Sequence, residues 1–306
     1  MSKKFKIGID YGGTKIEGIL LDDNGHQIER KRYSYEKNYL SGIETVKKLV
    51  DEFDKLSNQV CTVGVGIPGF SSKETGFVTN ANSIWLNDKP FKNDLEISLN
   101  RKVKLMNDAN CFTLSEAFDG AGKDYQSIFG IIIGTGFGGA LSYKKEIIEG
   151  ANQIAGDWGH QPLPYPTEEE LETKINCPSM NCGRPLCAEQ FMSGIGFKDR
   201  FNQKYHTNFS SEEIVKLDLD GEPRANSELS LYEDRMARLM AVMIGIFDPD
   251  AIILGGGMSN IDRFYKNIPP LIPKYTFSNK VITKVLKNFH GDSSGVRGAA
   301  WLWNNV

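Results

Sequence analysis

The sequence predicts an α/β protein of two lobes, and two observations carry that reading. A strand, a glycine turn and a returning strand occur twice, at Ile7–Lys15 and again at Ile131–Gly139, 124 residues apart. Short apolar strand runs also alternate with stretches of helical spacing along the chain. The repeated hairpin suggests a duplicated lobe with a cleft between the copies, and 306 residues suffice for two cores.

Phe5–Asp10 is a β-branched apolar run, Tyr11-Gly12-Gly13-Thr14 a turn, and Lys15–Leu21 the returning strand. Asp22-Asp23-Asn24-Gly25 is a second hairpin turn, where Asn-Gly favours type I′ geometry, and Gln27–Tyr35 forms the third strand. Leu40–Leu56 has helical spacing, with Ile43, Val46, Leu49, Val50 and Phe53 on one face. Val60–Ile67 reads as a buried strand ended by Pro68-Gly69, and Val103–Met106 as a strand running into Asn107-Asp108. Cys111, Leu114 and Phe118 place a helix next. Ile128–Ile133, the turn Gly134–Gly139 and Ala140–Tyr143 repeat the opening pattern. Helices follow at Ser210–Leu217 and Ser227–Phe247, the latter stopped by Asp248-Pro249. Ala251–Leu254 is a buried strand leading into Gly255-Gly256-Gly257. Asn260 or Asp262 is placed to cap a further helix, Val281–Val285 reads as a late strand, and Gly295–Trp303 as a final helix.

Composition narrows the function. An apolar share of 40%, a charged share of 25% and a net charge of −3 are those of an ordinary globular protein, and they argue against nucleic acid or an anionic membrane as partner. The apolar runs Ile128–Ile133 and Leu239–Phe247 are too short to span a bilayer. A basic start without an apolar core predicts a cytoplasmic protein whose cysteines stay reduced.

Three chemistries can be read from the residues. Gly12-Gly13-Thr14-Lys15 and Gly134-Thr135-Gly136 can bring backbone N–H groups to an anion, because no Cβ intervenes. Neither has P-loop spacing, and plain hairpin turns are the alternative. Two such turns facing one cleft would suit a polyphosphate such as ATP. Asp108, between a strand and a helix, is either a helix cap or a base that takes a hydroxyl proton during phosphoryl transfer. Asp10 either stabilises its turn or holds Mg²⁺. Finally, three of the five cysteines, Cys177, Cys182 and Cys187, fall within eleven residues, downstream of His160. One imidazole and three thiols make the donor set of a structural Zn²⁺ site, which would pin a loop bracketed by the carboxylates Asp157 and Glu189.

Together these residues resemble the ROK family of sugar kinases and regulators. The segment Ile9–Lys15 resembles its phosphate signature, Asn107–Cys111 its catalytic segment, Gly134–Gly136 its second phosphate turn, and Asp157–His160 with the cysteines its sugar and zinc segment. Within the family, Asn80–Asn87, Asp157–Pro164, Asp248–Asn260 and His290–Trp303 look most like fructokinases of the manno(fructo)kinase type, with N-acetylglucosamine kinases and glucokinases as the alternatives. The resemblance implies an actin-like ATPase fold of two ribonuclease-H-like lobes. The first would be residues 1–120 joined by a helix from 291–306, the second 121–290 with the zinc loop.

It also implies a sugar held by Asn82, Asn107, Asp108, Asp157, His160 and Glu189, with Asp108 as base and D-fructose phosphorylated at its 6-hydroxyl. Mannose and glucose would be further substrates. ATP phosphates would meet Asp10, Gly12, Gly13, Thr14, Lys15, Gly134, Thr135, Gly136, Gly255, Gly256 and Gly257, with Mg²⁺ offsetting their charge, and a homodimer is implied. A sugar-responsive repressor would need a DNA-binding helix-turn-helix, for which the first strand, starting at Phe5, leaves no room ahead of it. Two departures stand out. Asp157 replaces the family's Glu, which shortens that side chain by about 1.5 Å. Met180 stands at the position of the first cysteine, with Cys177 three residues earlier, and Leu186 replaces a glycine.

Overall fold

A computed structural model describes residues 4–173, 175–178, 182–291 and 294–304. Two compact units emerge: one comprises the chain up to Asp124, Leu141–Ala155 and the segment from Phe289 onward, the other Tyr125–Ala140 and Gly156–Asn288.

The first unit is built on a five-stranded sheet. Strands β1 (Lys6–Tyr11), β2 (Lys15–Leu21) and β3 (Gln27–Ser34) form an antiparallel meander. Helix α1 (Tyr39–Ser57) begins where the Asn38 side chain accepts from the Ser41 N–H, and it buries Val46, Leu49, Val50 and Phe53. β4 (Thr62–Ile67) then pairs parallel to β1, β5 (Phe70–Ser71) and β6 (Val78–Thr79) make a small hairpin, and α2 (Phe91–Leu99) leads to β7 (Val103–Asn107), parallel to β4. The sheet order is β3-β2-β1-β4-β7. Helix α3 (Asp108–Phe118) follows at once and is buried from Ala109 to Ala117.

The turn between β2 and β3 departs from the type I′ geometry expected of Asn-Gly. Gly25 donates its N–H to Asp22 O at 3.0 Å, and within Asp22–Gly25 only Gly25 has a positive φ, whereas type I′ needs two such residues. The pairing shifts register beside it, between Leu20 and Leu21.

β8 (Ser127–Ile133) and β9 (Phe137–Tyr143) form the repeated hairpin, and the unit boundary falls inside β9. β10 (Glu146–Ile147) extends it. The second unit then adds α4 (Glu168–Leu171), α5 (Ala188–Met192), α6 (Gly194–Tyr205), α7 (Ser211–Leu219) and α8 (Pro223–Phe247), which starts four residues before its expected beginning, with Pro223 in its first turn. β11 (Ala251–Gly255) pairs parallel to β8 and to β12 (Lys284–Lys287), giving the order β10-β9-β8-β11-β12. The late strand thus starts three residues after its expected beginning. α9 (Arg263–Asn267) lies between β11 and β12; Asp262 stands at its N-cap position without a capping bond and pairs with Lys287 instead.

The chain ends in α10 (Ser294–Trp301), packed on α3, β1 and β4 of the first unit. That contact is backbone against backbone. A β-carbon at Gly8, Gly64 or Gly298 would collide with the carbonyl oxygens of Val296, Ala299 and Cys111 respectively.

In the second unit α4 is tied to α8 by charge. Glu170, 1% exposed, accepts from Arg235 Nε at 2.6 Å and from Arg238 at 2.8 and 2.9 Å. Burial by itself would raise the Glu170 carboxyl, but Arg238, the Thr167 backbone and Arg235 bring it down to about 2. Removing one member of a buried pair leaves the others uncompensated, so Glu170→Ala should lower unfolding free energy by about 3–5 kcal/mol in denaturant titrations. A carboxyl lowered on folding stabilises above its unfolded value and loses that contribution as pH falls towards 2. The variant's deficit should therefore shrink in acid; a deficit independent of pH between 5 and 2 would contradict this pairing.

Candidate active site

In the first unit the parallel pairing decides which side chains meet. Asp10 lies in register with Gly66, and Ile67 with Asn107, so the carboxyl ends of β1, β4 and β7 align along one edge of the sheet, the edge where α/β proteins bind ligands. Asp10, Gly69, Asn107 and Asp108 gather there. Asn107 donates from Nδ2 to Gly69 O at 3.1 Å and accepts from the Ala109 N–H at 2.9 Å. Asn107 is therefore the cap of α3, and Asp108 is its first residue. The capping alternative for Asp108 thus falls to its neighbour, although Asp108 Oδ1 also accepts from the Ala109 N–H at 2.8 Å.

Asp108 is exposed to solvent. The protein around it nonetheless strips away enough water to raise its carboxyl above the usual value, against hydrogen bonds from the backbone of Ala109 and from Asn107. Asp10 is also raised, to about 7, first by burial, then by the charges of Asp108 and Glu17, while Arg32 and Arg30 act the other way. Glu17 stands opposite Asp10 across β1 and β2 and binds Arg30 Nε and Arg32 Nε, each at 2.5 Å. Cys111, buried beneath, is pushed up by burial and by both aspartates.

The first glycine turn is closed by Gly12 N–H to Lys15 O at 3.1 Å, and Gly13, Thr14 and Lys15 are exposed. Asn82 is exposed in the loop between β6 and the short helical turn at Ile84–Leu86. Asn87 braces that loop, its side chain bonding the Ala81 N–H at 2.8 Å and Ala81 O at 3.0 Å. Sequence reasoning gave Asn87 no role, although it stands at the end of the Asn80–Asn87 segment.

In the second unit the turn at Gly134–Gly136 is closed by Gly134 N–H to Gly136 O at 3.0 Å. It is held from outside at two points. Gly194 N–H donates to Gly134 O at 2.8 Å, and Phe137 N–H donates to Glu189 Oε2 at 3.1 Å. Gly256, at φ 80°, lies against the Ile133 backbone where a side chain would collide; Gly256 and Gly257 are exposed and Gly255 is buried. Asp157 and His160 are half-buried and Glu189 is buried. Burial raises the Asp157 carboxyl; His160 opposes this, Glu189 adds to it and Arg184 opposes it.

His160, Cys177, Cys182 and Cys187 come together, their ligand atoms all within 4.8 Å of one another. His160 Nδ1 is 3.5 Å from Cys187 Sγ and 4.0 Å from Cys177 Sγ, and the two sulfurs are 3.4 Å apart. A tetrahedral ion at about 2.0–2.3 Å from its donors needs donor separations of roughly 3.5–3.8 Å, a range that the 3.4–4.0 Å separations among His160, Cys177 and Cys187 bracket. Cys177 joins the set despite its early position. Met180, at the family's cysteine position, lies outside the described residues. Pro162 bridges to Cys187, and backbone hydrogen bonds from Leu163 to Leu186, Ala188 to Gln161 and Glu189 to Gly159 hold His160 beside the sulfurs. Burial pushes Cys187 up to about 11; Cys177 lowers it and Cys182 raises it again. A thiol raised in this way gives up its proton more readily where a cation offsets the charge. Cys177 also reaches Glu189 Oε1 at 3.4 Å, so one carboxylate joins the cysteine cluster to the glycine turn.

The ROK family model matches residues 6–306. This chain belongs to the ROK family. An N-acetyl-D-glucosamine kinase of Vibrio cholerae is 36% identical over 296 residues, covering 96% of this chain and 98% of the relative. A second N-acetyl-D-glucosamine kinase, of Haemophilus influenzae, is 35% identical over 299 residues, 97% of this chain and 98% of its own. Among solved structures, a ROK glucokinase from Streptomyces griseus in complex with glucose and AMPPNP superposes with a TM-score of 0.78 at 21% identity, covering 99% of this chain and 100% of that one. The fold of this ROK protein is the actin-like ATPase fold, in line with the resemblance read from the sequence. No helix among the described residues is long and apolar enough to cross a membrane.

Proposed function

We propose that this protein is an ATP-dependent hexose kinase that phosphorylates N-acetyl-D-glucosamine at its 6-hydroxyl. The observation that carries the substrate is the full-length similarity, at 35–36% identity, to relatives that bear that activity in their names. The D-fructose expectation has no such support among them. Fold alone does not choose, since one fold hosts many functions.

Asp108 is the base in this reading. It stands at the carboxyl end of β7, open to solvent, with a carboxyl raised above the usual value. It takes the hydroxyl proton as the sugar oxygen attacks the γ-phosphorus of ATP; the bond to the bridging oxygen breaks, and ADP leaves with that electron pair. Asn82, Asn107, Asp157, His160 and Glu189 orient the sugar, Asp157 through a relaxed or water-bridged contact because of its shorter reach. The backbones at Gly12–Thr14, Gly134–Gly136 and Gly255–Gly257, with Lys15 and Thr135, bind phosphate oxygens. A carboxyl held at about 7 by burial and a like charge is one that a divalent cation would let ionise, so Asp10 fits a Mg²⁺ site. That ion would supply charge neutralisation on the phosphates. His160, Cys177, Cys182 and Cys187 would hold Zn²⁺, which closes the loop structurally.

A coupled ADP-release assay over N-acetylglucosamine, fructose, mannose and glucose tests the function. The highest kcat/KM is expected for N-acetylglucosamine, and Asp108→Asn should lower kcat by about 10²–10⁴-fold. Inactivity on all four sugars would remove the kinase reading; a preference for fructose would reinstate the fructokinase one. Metal analysis should find about one Zn²⁺ per chain, released by Cys182→Ser with a fall in Tm and in sugar affinity. Protein purified without chelators that holds no zinc would refute that assignment.

A further inference from the structure

The first glycine turn has a support that lies outside the motif segments named above. Tyr35 donates its hydroxyl to Gly12 O at 2.9 Å. The Gly12 carbonyl and the Gly13 N–H belong to one planar trans peptide, so they point in opposite directions. Holding the carbonyl towards Tyr35 therefore turns the Gly13 N–H to the other side, and Gly13 is exposed. Both residues flanking this peptide are glycines, which tolerate φ of either sign, so without a tether the peptide can flip at little cost.

The tether itself is fixed. The Tyr35 ring meets Tyr11 edge-on at 5.4 Å and Trp85 at 6.2 Å, and Trp85 Nε1 donates to Tyr11 Oη at 3.2 Å. Tyr11 is fully buried and abuts α1 at Gly42, where a β-carbon would strike its hydroxyl. Ser83, 2% exposed, has a hydroxyl with no hydrogen-bond partner of good geometry, and its Oγ lies 3.6 Å from where a β-carbon on Gly13 would sit. Burial and the neighbouring Tyr11 push the Tyr35 phenol above its usual value, so it remains a donor at neutral pH.

We propose that Tyr35 is a positioning residue for the nucleotide: it locks the Gly12–Gly13 peptide so that the Gly13 N–H faces a phosphate oxygen. This rests on the reading that the first glycine turn meets the phosphates of ATP.

The test compares Tyr35→Phe with Tyr39→Phe. Tyr39 belongs to the same aromatic group through Phe91, but its hydroxyl goes to Asp94 at 2.7 Å, away from the turn. Direct titration of AMPPNP with Mg²⁺ should weaken about 3- to 10-fold in Tyr35→Phe, as expected for one net hydrogen bond and the freedom it restrains. KM for ATP should rise alongside, sugar KM should stay within about twofold, and Tyr39→Phe should leave AMPPNP affinity unchanged even if it lowers Tm as much. Unchanged AMPPNP affinity in Tyr35→Phe, or an equal loss in Tyr39→Phe, would overturn the proposal. Wild-type protein that binds AMPPNP but phosphorylates no hexose would count against the kinase reading alone, and the Tyr35 comparison still decides; wild-type protein that fails to bind AMPPNP would overturn both.

Discussion

The backbone-to-backbone seating of α10 is the constraint on which the first unit depends. Helices normally stand off from a sheet by the length of their side chains, but here Gly8, Gly64 and Gly298 let main chains touch. Charge and hydrogen bonds lock the approach. Buried Glu116 gathers the N–H groups of Ala121 and Phe289, at 2.9 and 3.0 Å, and the Ser294 hydroxyl at 2.7 Å. Arg297 binds Asp119 and, at 2.7 Å, Gly25 O. His290 reaches Asp119 at 2.9 Å. The last helix thus fixes β1, β4 and α3 against one another. The positions of Asp10, at the end of β1, and of Asp108, at the start of α3, follow from it. Two carboxylates brought close enough to repel are costly to hold, and the seating of α10 opposes that cost.

Each unit treats its glycine turn in the same way. The turn's own hydrogen bonds close it, and a side chain from elsewhere in the chain sets its orientation. In the first unit that side chain is Tyr35; in the second it is Glu189, which accepts from Phe137 N–H while its other oxygen meets Cys177. The cysteine cluster therefore stands two hydrogen bonds from the second glycine turn, with Glu189 between them.

Much of this was legible in the sequence. The hairpins at β1–β2 and β8–β9 announce themselves because β-branched runs flank glycine pairs. The donor set of the cysteine cluster was legible from residue type even though Cys177 is displaced, because a loop is free to bring an early cysteine round. What escaped did so for physical reasons. Helices α2 and α6 carry sparse apolar stripes, Phe91, Leu95 and Leu99 in one and Phe197 and Phe201 in the other, and α6 opens on glycines that read as a loop. The β2–β3 turn chose another geometry than Asn-Gly prefers because the register shift at Leu20/Leu21 accommodates one extra residue. Capping by Asn107 rather than Asp108 could not be told apart, since adjacent Asn and Asp cap equally well. The choice among sugars is not legible in motifs, because a few atoms in a pocket set specificity and motifs report only the shared chemistry.

The most direct test of the account is the titration of the Asp10 carboxyl, followed by ¹³C NMR in the metal-free, nucleotide-free protein. A midpoint near 7 is expected. In Asp108→Asn, where the like charge is gone but burial remains the larger cause, it should fall while staying above the ordinary aspartate value. An Asp10 that titrates at that ordinary value in the wild type, or one that does not respond to Asp108→Asn, would show that the fold does not bring these two carboxylates together.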